Sequence, residues 1–294
     1  MVRENFPEII EELYSSPPPQ TLSHYTSLEA LNSICLSKSM FASDVRFLND
    51  AQELQYFGIL FEEVLSSLTL SGEESVLRDS IIEWLYTALL ERRETGVFAL
   101  SLSERHDQLS QWRAYTKLRS GVSIGLSGTA LAEIAKKNDY VIGKCLYDQA
   151  QMERICARMA NIMIQLALAD GPGDTAIWSI PYGRALSLMV DHVLLIAALF
   201  KHPAFEEEAE WRIVSIPTPE FRRSDINFRA GNEYIIPYKN FPLAPHFQSG
   251  PINQIVVGPS TNSELSIKSI FMLLQYNFML AQKFTPLKSK VPLR

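Results

Sequence analysis

The sequence predicts an α+β fold, and three observations predict it. Short apolar or alternating runs read as strands, amphipathic stretches between them read as helices, and a helix-rich section between about residues 150 and 200 interrupts the strands. With 294 residues, 47% of them hydrophobic, the chain can bury a full core. The expected organisation is an N-terminal helix and spacer over residues 1–19, then one α+β domain over 20–294 with the helical insert inside it.

The elements follow in order. An acidic helix spans about Glu4 to Tyr14, and Pro17-Pro18-Pro19 forms a stiff, extended spacer. Thr21 to Tyr25 reads as a strand. Thr26 or Ser27 then caps a helix in which Leu28, Leu31 and Ile34 recur, and the chain turns extended again at Met40. After Asn49-Asp50, Leu54, Phe57, Phe61, Val64, Leu65 and Leu68 mark a helix, and Val76 to Leu89 a second. Val97 to Ser103, Val122 to Leu126 and Tyr140 to Tyr147 are strands, the second bracketed by Gly121 and Gly128. Ile155 to Leu166 marks a helix closed by Gly171-Pro172-Gly173, and Ala185 to Phe200 a buried one. Strands at Glu210 to Ile216, Glu233 to Pro237 and Ile255 to Gly258, a helix at Glu264 to Leu274 and a strand at Phe278 to Phe284 complete the pattern.

Composition excludes several classes. A net charge of −6 without any Lys/Arg cluster argues against a general nucleic-acid or anionic-membrane surface, leaving room only for a local basic groove. Cys35, Cys145 and Cys156 are isolated, which suggests neither a disulfide framework nor a zinc site, and His106, His192, His202 and His246 lack metal-ligand spacing; no metal is expected. The longest apolar run, Ala185 to Phe200, is short for a membrane span and is broken by Asp191-His192. With no apolar leader among the residues around Arg3, Glu4 and Glu8, the expected compartment is the cytoplasm.

Three stretches carry candidate chemistry. His24 ends its strand beside a helix N-terminus whose free amides attract negative charge, which suits a ribose or pyrophosphate; a histidine satisfied by a backbone carbonyl would look the same. In Glu206-Glu207-Glu208-Ala209-Glu210-Trp211-Arg212, strand alternation puts Glu208, Glu210 and Arg212 on one charged face and Ala209 and Trp211 on a buried one. A fixed carboxylate there fits cleavage of a glycosidic bond, and an ordinary Glu-to-Arg pair fits equally. Ser101 and Ser103 share a strand face and offer hydroxyls to a ligand or carboxylate. Trp112 and Tyr115, three apart on a helix, share a face that suits stacking a ring or packing a core. Arg113 suits a phosphate, or a pair with Asp107 or Glu104.

Taken in order, HYTS at His24, FLND at Phe47 to Asp50, FALSLSE, QWRAY, GVSIGLS, CLYD at Cys145 to Asp148, EAEWRIV and INQIVVGP at Ile252 to Pro259 resemble a bacterial domain family of unknown function. That family is found in scattered genomic contexts that include defence neighbourhoods, and it looks like a divergent branch of the ADP-ribosyltransferase superfamily. The resemblance implies an ADP-ribosyltransferase-like split β-sheet core with helical insertions. It implies NAD as substrate rather than redox cofactor, bound in a cleft between two small sheets. His24 takes the ribose-gripping role with Tyr25 and Thr26 in support, and Glu210 the catalytic role, with Glu208 two residues before it as in arginine-modifying relatives. Ser101, Ser103, Trp112, Arg113, Tyr115 and Arg212 complete the implied NAD site. Loss of nicotinamide would expose a ribose carbon to a protein side chain, a nucleic acid or water, in a toxin or an anti-phage effector.

Two other classes compete. A catalytically inert module on the same fold would bind a nucleotide or a protein. A metal-dependent nuclease would draw on Asp44, Asp50, Glu208 and Glu210; Glu210-Trp211-Arg212 lacks the lysine such a site uses, and the overall charge is wrong for phosphate.

Overall fold

The computed structural model describes residues 6–47, 52–87, 95–116, 121–171, 182–219, 225–231, 233–243, 251–277 and 285–292. The first half runs α1 (Pro7–Tyr14), β1 (Thr21–Thr26), α2 (Leu28–Ser37), β2 (Ser39–Asp44), α3 (Gln52–Ser67), α4 (Glu73–Trp84), β3 (Thr95–Gly96), β4 (Phe98–Ser103), α5 (Leu109–Tyr115) and β5 (Val122–Ser127). Then come α6 (Gly128–Lys137), β6 (Tyr140–Lys144), α7 (Gln149–Asp170), α8 (Gly183–Ser187) and α9 (Val190–Ala197). A 3-10 turn at Pro203–Glu208 leads into β7 (Glu210–Ser215), β8 (Thr218–Pro219), β9 (Asn227–Ala230), β10 (Ile235–Pro242), β11 (Ile252–Val257), α10 (Ser263–Tyr276) and β12 (Leu287–Lys288). The fold is α+β, built on a large mixed sheet.

Among the described residues ten strands form that sheet, in the order β12-β11-β5-β1-β4-β2-β10-β9, with β7 against β4 and β6 against β7; β3 and β8 pair separately. β4 sits at its centre. One edge of β4 pairs β7 along its length, from Ala99↔Val214 to Ser103↔Glu210. The other edge is shared. β1 meets it only at Ser23↔Ser103, and β2 only at Ser43↔Ala99 and Asp44↔Phe98. Between those contacts Leu100, Ser101 and Leu102 have no strand beside them on that edge, so the sheet is split there. β1 is instead bound along its length to β5, from Thr21↔Ser127 to Thr26↔Val122.

Helices cover both faces. Leu31, Ile34 and Cys35 of α2, Leu131 and Ile134 of α6, and Ile270 and Leu274 of α10 pack on Leu22, Leu100, Leu102, Trp211 and Ile213. The opposite face carries a helical layer in which Phe6, Ile9 and Leu13 at the N-terminal helix join residues of α3, α4, α7, α8 and α9 over Ala99 and Val214. Burial on both sides explains why the whole of β7 is buried, although alternation alone gave it one charged face.

Local signals account for most boundaries. Ser27 caps α2, its Oγ accepting from the Ala30 amide at 3.1 Å, and the helix ends at Lys38 in the left-handed conformation. Gly171, with φ of 78°, ends α7. The run Ala185 to Phe200 is two helices, because Leu188 and Met189 donate to carbonyls three residues back and tighten the chain between α8 and α9. α6 and β9 have no counterpart in the sequence reading. Asn49-Asp50, Leu89, Pro172-Gly173 and the strand expected at Phe278 to Phe284 lie outside the described residues.

The proline spacer is docked. The Gly128 amide donates to Gln20 O at 3.1 Å, and a Cβ at Gly128 would stand 2.0 Å from Pro19 O. Gly128→Ala must therefore push the spacer off the start of α6. It should cost about 1–3 kcal/mol, read as a lower urea midpoint at unchanged slope; an unaltered midpoint would show the spacer free.

Candidate functional site

The gap between β1 and β2 on the edge of β4 opens into a cavity of about 380 Å³. That is the size of a small-molecule site. Every residue assigned to the NAD site from the sequence lines it except Trp112 and Arg113. His24, Tyr25 and Thr26 come from β1, Ser101 and Ser103 from β4, Tyr115 from the end of α5, and Glu208, Glu210 and Arg212 from around β7. Glu53, Gln111, Lys201 and Arg229 join them.

Register shows how the two halves approach. Ser23 and Tyr25 share the sheet face of Ser103 and Glu210, because Ser23 pairs Ser103 and Ser103 pairs Glu210. His24 alternates to the other face, with Leu22. It reaches the cavity through the gap, where its Nδ1 lies 3.0 Å from Ser101 O on the open edge of β4. A carbonyl only accepts, so Nδ1 carries the proton. Burial lowers the His24 pKa below 6.5, the Ser101 bond pulling partly back, so the ring is neutral and Nε2 is an acceptor. The histidine that a backbone carbonyl satisfies is thus also a cavity-lining one.

The floor of the cavity is a buried ion cluster. Lys201 follows α9 with its side chain 1% exposed, and its Nζ lies 2.5 Å from Glu208 Oε2, 2.5 Å from Glu210 Oε2 and 3.4 Å from Glu53 Oε1. Arg212 donates from Nε to Glu210 Oε1 at 2.8 Å, from Nη2 to Glu210 Oε2 at 3.1 Å and from Nη1 to Ala198 O at 2.8 Å, and Nη2 lies 2.5 Å from Glu53 Oε2. Burial alone would raise the Glu210 pKa; Arg212 and Lys201 overrule it and hold the carboxyl at about 2. Lys201 shifts upward, burial opposing and the carboxylates prevailing, whereas burial pushes Glu53 up against the pull of Arg212. Fully ionised, three carboxylates face two cations, so one negative charge remains.

Glu208 is not on the strand. It ends the 3-10 turn, and Ala209 takes the left-handed conformation at φ 43° before β7 begins. Across that bend both Glu208 and Glu210 reach the same ammonium. Glu208 is the more open of the two, 12% exposed against 6%, and its Oε1 accepts from the Tyr115 hydroxyl at 3.4 Å. Ser103 fixes the bend, its Oγ donating to Glu208 O at 2.6 Å.

Several of the candidate residues have partners of their own or lie outside the cavity. Trp112 is core: it meets Tyr25 edge-on at 4.7 Å, packs with Val256 and donates from Nε1 to Asp107 at 2.9 Å. Arg113 is exposed and outside the cavity. It pairs with neither Asp107, which holds Trp112, Ser289 and the Lys290 amide, nor Glu104, which pairs Lys144. Arg212 lines the cavity with its guanidinium spent on Glu210, Glu53 and Ala198, so it secures a carboxylate rather than a ligand. Tyr25 spends its hydroxyl on Arg105 O and the Gln108 amide. Of the residues proposed for a nuclease, Asp44 pairs Arg46 at 2.6 Å and Asp50 lies outside the described residues. Among the described residues no group of three metal-ligating side chains is arranged to hold a metal ion, and no helix is long and apolar enough to cross a membrane.

Sequence reasoning missed Lys201, Glu53 and Arg229. Lys201 had a signal, a lone cation closing an apolar run seven residues before Glu208. Glu53 reads as the polar face of an amphipathic helix, and Arg229 lies on a strand the sequence did not announce.

No curated protein and no solved structure matches the chain. Residues 111–213 match the model of a family described as a protein of unknown function, DUF2971, so a domain of that description is found from Gln111 to Ile213, a span that holds Lys201, Glu208, Glu210 and Arg212 and leaves His24 and Arg229 outside.

Proposed function

We propose that the cavity binds NAD and cleaves its nicotinamide–ribose bond, as an ADP-ribosyltransferase or NAD glycohydrolase on an ADP-ribosyltransferase-like split sheet. The observation that carries this reading is the convergence of a neutral His24 and the Glu208–Glu210 pair on one cavity at the split. His24 Nε2 accepts a ribose hydroxyl. Glu208, the open carboxylate, accepts the hydroxyl beside the reacting carbon, and Glu210 lies behind it as a fixed charge. The surplus negative charge complements the cationic nicotinamide ring and the oxocarbenium-like state that forms as the bond breaks. The bonding pair leaves with neutral nicotinamide, and a protein side chain, a nucleic acid or water attacks the ribose carbon. Tyr115 takes the ring-contact role that Trp112 cannot. A toxin or anti-phage effector is the biological setting that the resemblance suggests.

A second reading has its own support. Both oxygens of Glu210 are already held by cations, which suits an inert module that binds a nucleotide without turning it over.

The two separate on nicotinamide release, followed chromatographically, and on the NAD-induced rise in melting temperature. Wild type should release nicotinamide, and Glu208→Gln should lower the rate on the order of 100-fold while keeping the fold. A wild type that shows no turnover and no thermal shift sinks the enzyme; a shift without turnover, indifferent to Glu208→Gln, establishes the module. Glu210→Gln is a different experiment. It takes from Lys201 and Arg212 the carboxylate they share, leaving Glu208 and Glu53 as their partners, and should cost about 1–3 kcal/mol in urea unfolding, whichever reading holds.

The role of His24 fixes a pH dependence. Its folded pKa lies below the unfolded value of 6.5, so the unfolded chain takes up the proton first. Stability and NAD affinity are then intact above 6.5 and decline as pH falls through the folded value. Titrations of NAD binding with wild type and His24→Gln check this; matching acid limbs in the two proteins would remove His24 from the site.

A further inference from the structure

We infer that Arg229 and Ser43 form a phosphate subsite at the β9 end of the cavity, so that the ligand is a nucleotide whose phosphate lies there and whose base packs on Phe41. Arg229 pairs across to Ile236, Tyr238 to Ser43, and Ser43 to Ala99. Strand alternation therefore puts Arg229, Phe41 and Ser43 on the sheet face that also carries Ser101 and Glu210, and all five line the cavity.

Arg229 is the one cation of that lining, among the described residues, without a carboxylate. Lys201 and Arg212 are saturated, and the neighbouring Arg46 and Lys239 pair with Asp44 and Asp225. Arg229 has a single hydrogen bond, from Nη2 to Ser43 Oγ at 3.1 Å, and its Nε is buried with no partner. A donor shut off from water and left unpaired is costly. A guanidinium that no carboxylate holds can take the oxygens of an anion. Phe41, two residues before Ser43 on the same face of β2, is 43% exposed although it is in a strand, its ring tilted over Tyr238 at 4.1 Å. An open aromatic ring and a guanidinium without a carboxylate in one cavity match the base and phosphate of a nucleotide. The two ends of the cavity differ in charge: the Lys201 cluster, with its three carboxylates ionised, is net negative and repels phosphate, while Arg229 attracts it, which fixes the ligand's direction.

The inference deepens the NAD reading without needing cleavage. Titration calorimetry of the full chain with ADP and with adenosine tests it, since neither carries nicotinamide. ADP should bind about tenfold or more tightly than adenosine. Arg229→Gln should erase the difference with the melting temperature kept, Arg229→Lys should retain part of it, and Phe41→Ala should weaken both ligands. Equal affinities in wild type, no ADP binding, or discrimination that survives Arg229→Gln would overturn it. Absence of NAD turnover would leave this result standing, and loss of the discrimination would leave turnover untouched. Should Arg229→Gln not fold, the wild-type ratio and Arg229→Lys decide.

Discussion

Lys201 sits with its ammonium against three carboxylates and almost no access to water. An isolated charge in that position would be expelled or neutralised. It stays because Glu53 from α3, Glu208 from the 3-10 turn and Glu210 from β7 close around it, with Arg212 holding two of them from the other side. The cluster thereby ties the helical layer to the sheet. It also fixes the left-handed bend at Ala209, the orientation of Glu208 toward the cavity, and the charge that the cavity floor presents. The charge of the cavity floor and the joint between the layers rest on the same five side chains.

The second constraint is the sheet's own incompleteness. Antiparallel pairing normally satisfies both edges of a central strand. β4 gives one edge to β7 and divides the other between β1 and β2, leaving the backbone from Leu100 to Leu102 without a neighbouring strand. His24 answers part of that deficit by bonding Ser101 O. A side chain that completes a backbone ladder is held in one tautomer and one direction, so the imidazole is pre-set before any ligand arrives.

Much of this was legible in the residues. The β1–α2–β2 unit followed from Ser27 as a cap and from the spacing of Leu28, Leu31 and Ile34, and the alternation of β7 separated Glu210 and Arg212 from Trp211 and Ile213. What stayed hidden is instructive. Alternation was extended one step too far, to Glu208, because an alanine gives no warning of a positive φ. Trp112 and Tyr115 do share a helix, yet Asp107 and Tyr25 draw the indole into a small core of its own. Glu53, Lys201 and Arg229 are distant in sequence and carry no motif; only sheet register and the seating of α3 bring them together. Single residues whose partners lie far along the chain are what one-dimensional periodicity cannot see.

The meeting of β1 and β4 at one residue pair, Ser23 and Ser103, has a mechanical meaning. A ladder of many rungs carries load through the backbone, whereas here the β12-β11-β5-β1 leaf and the leaf that carries β4 and β7 are joined mostly by side chains: by His24 on Ser101 O, by the Tyr25 hydroxyl on Arg105 O and the Gln108 amide, and by the apolar core beneath both. The width of the crevice is therefore set by side-chain packing rather than by a backbone ladder.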